Sequence, residues 1–318
     1  MISPQKNIEQ KPLNLKTISW GDLTWDDFVQ PTEDAKKYLA EHYDFNPMDI
    51  DDCFSRRQLS KVDVYDNYLF IVFHLPVYDK ATRISTIQQW SAFVGEKYLV
   101  TLRPGTITAL DDLHRECEFN EEARKEYFSQ GSGYLLYQIL DRAVDAYIPV
   151  LDKILELMED IEDNVFNEET EAAKDISFLR RDIVTQRRVM FPTRVLLTEL
   201  ENRLRRFTKI DLTVYYGDLM DHMNSICDTL DECKEIIEVY KDADFILSEY
   251  RANRTIRTLV VIATVALPFL IVTGLYSMNV PLPGGIEKGS PQTFILLLVI
   301  ILVIIGALLS FFRRKHLI

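Results

Sequence analysis

The side chains of this chain that could do chemistry are oxygen donors, and they fall in two places. One set lies along or at the ends of an apolar run near the C-terminus: Asn253, Thr255, Thr264, Thr273, Tyr276, Ser277 and Asn279. The other set is acidic. From Ile154 to Ala173 there are eight carboxylates (Glu156, Glu159, Asp160, Glu162, Asp163, Glu168, Glu169, Glu171) and no Lys or Arg. Neutral and anionic oxygens suit a hard, strongly hydrated cation. The acidic run has two readings, a solvated helix face or a tip that concentrates cations, and sequence leaves both open. An enzyme is not expected, because no nucleophile–base pair, P-loop or HExxH pattern is present. The five histidines form no cluster with metal spacing. The four cysteines (Cys53, Cys117, Cys227, Cys233) lack any CxxC spacing and suit a reducing compartment as packed thiols.

The elements that must position these oxygens are apolar helices. Between Arg257 and Arg313 only Glu287 and Lys288 are charged, and both fall in one short loop. Leu259 to Met278 and Phe294 to Phe312 are each long enough, at ~1.5 Å per residue, to cross a hydrocarbon core of ~30 Å. The expected arrangement is a two-span hairpin in a membrane. Arg251, Arg254 and Arg257 precede it and Arg313, Arg314 and Lys315 follow, so both ends should face the cytoplasm. Met1 to Trp20 has no apolar h-region, so no signal peptide is expected and roughly 250 residues should stay in the cytosol. A net charge of −13 and a pI near 4.9 argue against nucleic acid as a partner and suit cations instead.

The N-terminal third mixes strands and helices. Val62, Val64, Tyr68 to Phe73, Trp90 to Val94 and Tyr98 to Leu102 read as β, and Pro31 to Tyr43 and Ala109 to Cys117 as helix. From Gly133 onward the pattern is helical: Tyr134 to Phe166 with an interruption at Pro149, then Lys174 to Leu200 returning. Leu212, Tyr216, Leu219, Met223, Ile226, Leu230, Cys233, Ile237 and Tyr240 alternate steps of four and three, a heptad seam. One helix is expected from about Asp211 to Asn279, on the order of 100 Å long. The seam is expected to face other copies of the same helix. Two helices cannot enclose a pore, so an ion path requires several copies around one span. The first span is the better lining, because the second carries only Ser310.

Tyr276-Ser277-Met278-Asn279 closes the first span of a C-terminal hairpin with a basic tail. This arrangement resembles the CorA superfamily of divalent-cation channels and transporters, whose signature at this place is Tyr-Gly-Met-Asn. The similarity extends along the chain. Asn46-Pro47-Met48-Asp49-Ile50-Asp51-Asp52 looks like the family's HPLxLED segment. Arg57 to Val62 with Tyr65 to Phe70 resembles its strand entry, Leu179 to Pro192 its LRRxxxPxR helix, and Tyr216 to His222 its YxRDVxDH stalk segment. Ser277 stands where the family has Gly. The loop Pro281-Leu282-Pro283-Gly284-Gly285 replaces the usual Met-Pro-Glu-Leu and is closer to the zinc-transporting ZntB branch.

The resemblance implies an α+β cytosolic N-terminal domain, a long helical stalk and two C-terminal transmembrane helices, assembled as a funnel-shaped homopentamer. Its parts would be 1–132 (α/β), 133–210 (helical hairpin), 211–256 (stalk), 257–279 (first transmembrane helix), 280–293 (external loop), 294–312 (second transmembrane helix) and 313–318 (basic tail). It implies a selectivity filter at Tyr276, Ser277, Met278 and Asn279, in which a ring of Asn279 side-chain carbonyl oxygens could hold the hydration shell of Mg²⁺ without stripping it. It implies a pore stripe at Asn253, Ile256, Leu259, Ala263, Leu267 and Leu270, and a regulatory inter-subunit metal site at Asp51, Asp52, Asp141 and Asp218. The expected ion is Mg²⁺, with Co²⁺ or Ni²⁺ as further permeants, and the expected place is the cell (inner) membrane. Two alternatives stand beside it: a Zn²⁺ transporter of the ZntB type, and a cation sensor or membrane scaffold without flux.

Overall fold

The computed structural model describes residues 13–55, 58–79, 84–167, 172–278 and 291–314. The chain divides into two compact units, Met1–Lys241 and Asp242–Ile318.

The first unit is built on a six-stranded sheet: β1 (Leu15–Trp20), β2 (Leu23–Val29), β3 (Lys61–Val64), β4 (Tyr68–Asp79), β5 (Ile84–Gly95) and β6 (Tyr98–Arg103). Its order is β1-β2-β6-β5-β4-β3, with β2 parallel to β6 and every other pair antiparallel. Tyr68 to Phe73 is apolar without alternation, and the structure gives the reason. Both faces of β4 are covered, so all six of these residues are buried. On one face Phe70 and Val72 join Phe28, Leu39, Phe45, Ile50 and Phe93 beneath α1 (Glu33–His42) and α2 (Pro47–Phe54). The other face is covered by α5 (Ser132–Asp145) and α7 (Ala173–Leu204).

α3 (Thr108–Phe119) and α4 (Glu121–Ser129) lead into α5. α6 (Ile148–Phe166) follows after a short break, with Pro149 in its first turn, where a missing N–H is tolerated. The described acids of the Ile154–Ala173 run, Glu156 to Asp163, are exposed on α6; Glu168, Glu169 and Glu171 lie outside the described residues. Strands β1 and β2 carried no strand reading in the sequence. They form because Leu23, Trp25 and Phe28 are buried in the sheet, while Asp26 and Asp27 are held by hydrogen bonds from Thr17 (2.6 Å) and Thr101 (2.8 Å). Two acids in a strand read as a loop until their donors are known.

α8 (Thr213–Ser277) is one helix of 65 residues, started by Asp211, which accepts the Thr213 N–H at 3.0 Å. Its heptad seam does not await other copies, which corrects the sequence expectation. Leu212, Tyr216, Leu219, Met223, Ile226, Leu230, Cys233 and Ile237 are all buried within the single chain. Ties from the preceding helices fix them there: Arg187 to Asp231, Arg180 to Glu238, and Tyr240 to Glu162 at 2.7 Å. A heptad seam specifies a helical partner, and α6 and α7 supply it in cis.

Among the described residues one helix is apolar and long enough to cross a membrane, α8, whose most apolar stretch of 18 residues has mean hydropathy 2.4 and none of it buried. α9 (Pro291–Arg314) is a helix of 24 residues ending in Arg313 and Arg314, with Ile301 and Phe312 buried. Lys315 lies outside the described residues.

Candidate cation-handling sites

Two groups of residues carry oxygen chemistry, one in each unit. In the apolar half of α8, Ile256, Leu259, Ala263, Leu267 and Leu270 follow at steps of three, four, four and three, which places them on one face of the helix. All are exposed, as is Asn253 one turn before them. On the opposite face Val261, Thr264, Val265, Pro268 and Val272 are half-buried. The helix therefore has a half-buried side and an exposed side, with Ala266 half-buried as well, and the residues of the expected pore stripe are all exposed. Gly274 and Ser277 continue that stripe by steps of four and three.

The hydroxyls along this segment are less available than their count suggests. Thr264 donates to the Val260 carbonyl (2.8 Å), Thr273 to Phe269 (2.8 Å) and Ser277 to Thr273 (2.7 Å). Thr255 likewise donates to Arg251 at 3.1 Å. Each proton is committed to the helix's own backbone, which satisfies a donor that a hydrocarbon environment would leave unpaired. The oxygens keep their acceptor lone pairs. α8 ends at Ser277, and Met278 is exposed beyond it. Asn279, the last residue of the expected filter, and the loop from Val280 to Ser290 lie outside the described residues.

The acids of the first unit form two clusters. Asp51 and Asp52 sit on α2, whose start is fixed by Asn46, which accepts the Met48 N–H at 3.0 Å. Tyr68 on β4 holds the same turn, accepting from the Asn46 N–H (2.9 Å) and donating to the buried carboxylate of Asp49 (3.2 Å). Burial raises the Asp49 carboxyl above its ordinary value, against hydrogen bonds from Tyr65 and Tyr68. Asp51 pairs with Lys36 at 2.5 Å, and Asp52 with Lys61 at 2.8 Å.

The second cluster joins α5 to α8. Asp141 is half-buried and its carboxyl is raised, first by burial, then by Asp145 one turn on, and further by Asp218. A hydrogen bond from Tyr137 and the nearby His222 act the other way. His222 lies 3.3 Å from Asp145. The structure thus brings Asp141 and Asp218 into one electrostatic neighbourhood, and places Asp51 and Asp52 in another. Sequence reasoning missed Asp145 and His222. Their spacing was a usable signal, because Asp141/Asp145 and Asp218/His222 are both i,i+4 pairs that share a helix face.

The donor chemistry fits a hard divalent ion, which takes one or two carboxylates and keeps much of its water. Among the described residues no three His, Cys, Asp or Glu side chains of one chain close around a metal.

Comparison with known proteins agrees with this chemistry. The family described as CorA-like Mg²⁺ transporter protein matches residues 20–314. YfjQ of Bacillus subtilis is 28% identical over 286 residues, covering 86% of this chain and 83% of its own. The cobalt/magnesium transport protein CorA of Thermotoga maritima is 25% identical over 247 residues, covering 77% and 70%. Among solved structures, that of the CorA magnesium transporter from Methanocaldococcus jannaschii covers 95% of this chain and 94% of that one. It does so at a TM-score of 0.77 and 23% identity, a likeness of fold.

Proposed function

This chain belongs to the CorA-like Mg²⁺ transporter family, membrane proteins that move divalent metal cations and are not enzymes, and from that premise we propose that it is a homopentameric Mg²⁺ channel of the cell membrane. In this reading α8 from about Arg257 and α9 are two transmembrane helices, with both chain ends in the cytoplasm beside their basic flanks. The exposed stripe of α8 lines the path. Asn279 carries the filter: a ring of neutral amide oxygens accepts hydrogen bonds from the ion's water shell and binds weakly enough to release a doubly charged ion. Ile256, Leu259, Ala263, Leu267 and Leu270 form an apolar constriction able to close by dewetting, with Asn253 at its cytoplasmic mouth.

The regulatory part of the proposal assigns Asp51 and Asp52 of one copy and Asp141 and Asp218 of its neighbour to a cytosolic Mg²⁺. Bound there, the ion would offset repulsion between carboxylates and hold neighbouring copies together. Its loss would release the ring.

The observation that carries the reading is the apolar stripe Ile256, Leu259, Ala263, Leu267 and Leu270, all exposed on α8 while Val261, Thr264, Val265, Pro268 and Val272 across the helix are half-buried, in a chain whose family moves divalent cations. A helix with one half-buried and one exposed apolar face suits a hairpin standing around a shared axis. The test is uptake of Mg²⁺, Co²⁺, Ni²⁺ and Zn²⁺ into proteoliposomes by wild type and Asn279→Ala. Mg²⁺ flux that falls at least tenfold in the variant, with the assembly intact by mass, is expected. Unchanged flux rejects the filter, Zn²⁺ flux far above Mg²⁺ rejects the ion, and absence of any wild-type flux leaves a sensor or scaffold.

A further inference from the structure

Asp52, an acid assigned above to the regulatory ion, already has a cation. Lys61 Nζ lies 2.8 Å from Asp52 Oδ2 and 2.6 Å from Asp63 Oδ2, so one ammonium bridges two carboxylates. The other oxygen of Asp52 accepts from Gln58 Nε2 at 2.6 Å. The ammonium is delivered from a fixed position. Lys61 begins β3, its backbone is in register with Val72 of β4, and its charge stands 5.2 Å from the centre of the Phe70 ring. The side chain is about one-third exposed, and the place is an open depression between α2 and β3. Lys36 does the same for the neighbouring Asp51. The α5–α8 cluster differs. Among the described residues no Lys or Arg ion pair reaches Asp141, Asp145 or Asp218, and His222 is their basic neighbour.

We propose that Lys61 is a tethered counter-ion that competes with Mg²⁺ for Asp52 and so sets the Mg²⁺ concentration at which the regulatory site fills. This deepens, and rests on, the assignment of Asp52 and Asp218 to that site. A divalent ion approaching Asp52 meets a positive charge held 2.8 Å from the oxygen it needs. It must displace that ammonium or share the carboxylate with it, and either weakens binding. When Mg²⁺ is scarce the lysine keeps Asp52 compensated, so the α2 side is partly neutralised while the α5–α8 side, with no such lysine among the described residues, stays more acidic. Neighbouring copies would then meet with less repulsion than two bare acid clusters would impose.

The full-length protein in detergent, titrated with MgCl₂ and read by protease resistance and by melting temperature, tests this. Lys61→Gln should lower the Mg²⁺ midpoint of protection about fivefold, the size expected when one partly screened charge is removed beside the ligand. Lys61→Arg keeps the charge and should stay near wild type. Asp63→Asn leaves the ammonium to Asp52 alone and should raise the midpoint, giving a second readout if Lys61→Gln fails to fold. A midpoint that is unchanged or raised in Lys61→Gln overturns the proposal, as does an unchanged or lowered one in Asp63→Asn. Asp52→Asn and Asp218→Asn separate the two layers. If neither alters the Mg²⁺ dependence, the site assignment fails and the proposal with it. If both do while Lys61→Gln does not, the role of Lys61 alone is refuted.

Discussion

Leu230→Ala is the sharpest test of where the heptad seam of α8 points. Leu230 is fully buried inside one chain, with Ile226, Cys227 and Cys233 buried beside it. The Arg187–Asp231 pair ties the next residue to α7, so the helices around the truncated side chain have little freedom to close the gap. Leu-to-Ala changes in such sites cost about 2–5 kcal/mol, and restricted collapse favours the middle or upper part of that range, about 3–4 kcal/mol. The cost should appear as instability of the first unit, whose Trp25 and Trp90 are buried in its sheet and report on its unfolding. Their fluorescence during urea unfolding in detergent should shift to a midpoint lower by roughly 1–2 M, using a slope of ~2–3 kcal/mol per M. Val214→Ala, at a position 81% exposed on the same helix, should change it by under ~0.5 kcal/mol. Oligomer mass at low denaturant should stay as in wild type. The reasoning fails if Leu230→Ala dissociates the assembly while leaving the unfolding midpoint in place, because the seam would then be an interface between copies.

Arg103 is fully buried and donates to Asp27, to Asp111 and to the Gly105 carbonyl, its Nη2 lying 2.8 Å from Asp27 and 2.6 Å from Asp111. Arg103→Met leaves Asp27 buried without its cation and should destabilise the unit by about 3–5 kcal/mol, with Asp27→Asn recovering part of that in a double-mutant cycle of unfolding midpoints. Burial lowers the imidazoles of His74 and His114 below their ordinary value, so the unfolded chain binds these protons first. Stability should therefore be complete above about pH 6.5 and fall as pH drops below it; a melting temperature flat from about pH 7.5 to 5 would contradict this. Asp218→Lys places a fixed positive charge in the α5–α8 cluster. It should keep protease resistance in EDTA and reduce the protection conferred by Mg²⁺ about tenfold; equal Mg²⁺ dependence in the two proteins would leave Asp218 as surface charge.

Much of the architecture is legible from side-chain order alone. The length of α8 follows from an unbroken run without Gly or Pro between Asp218 and the apolar segment, and the structure starts it at Thr213, two residues after the expected Asp211. The Tyr68–Phe73 strand and the helices near Pro31 and Ala109 are also where periodicity and β-branched content put them. β1 and β2 were not legible, because Asp26 and Asp27 in the strand depend on donors such as Thr17, Thr101 and Arg103, the last two more than 70 residues away. The candidate site divides in the same way. The residue types of the filter, the stripe and the four acids are visible in sequence, whereas the pairing of Asp51 with Lys36 and Asp52 with Lys61 is not.

What the sequence determined by itself, for elements such as α8 and β4, is the type of the element and which of its sides are apolar, since both follow from local spacing: steps of three and four for α8, a continuous apolar run for β4. What the tertiary structure decided is what meets that side. The seam of α8 is satisfied by helices of the same chain, and the threonine and serine hydroxyls of its apolar half by their own backbone. Two of the acids expected as metal ligands, Asp51 and Asp52, already pair with lysines. Periodicity records that a surface needs a partner and carries no label for which partner. That choice is made by the non-local packing that brings Lys61 to Asp52 and Arg187 to Asp231.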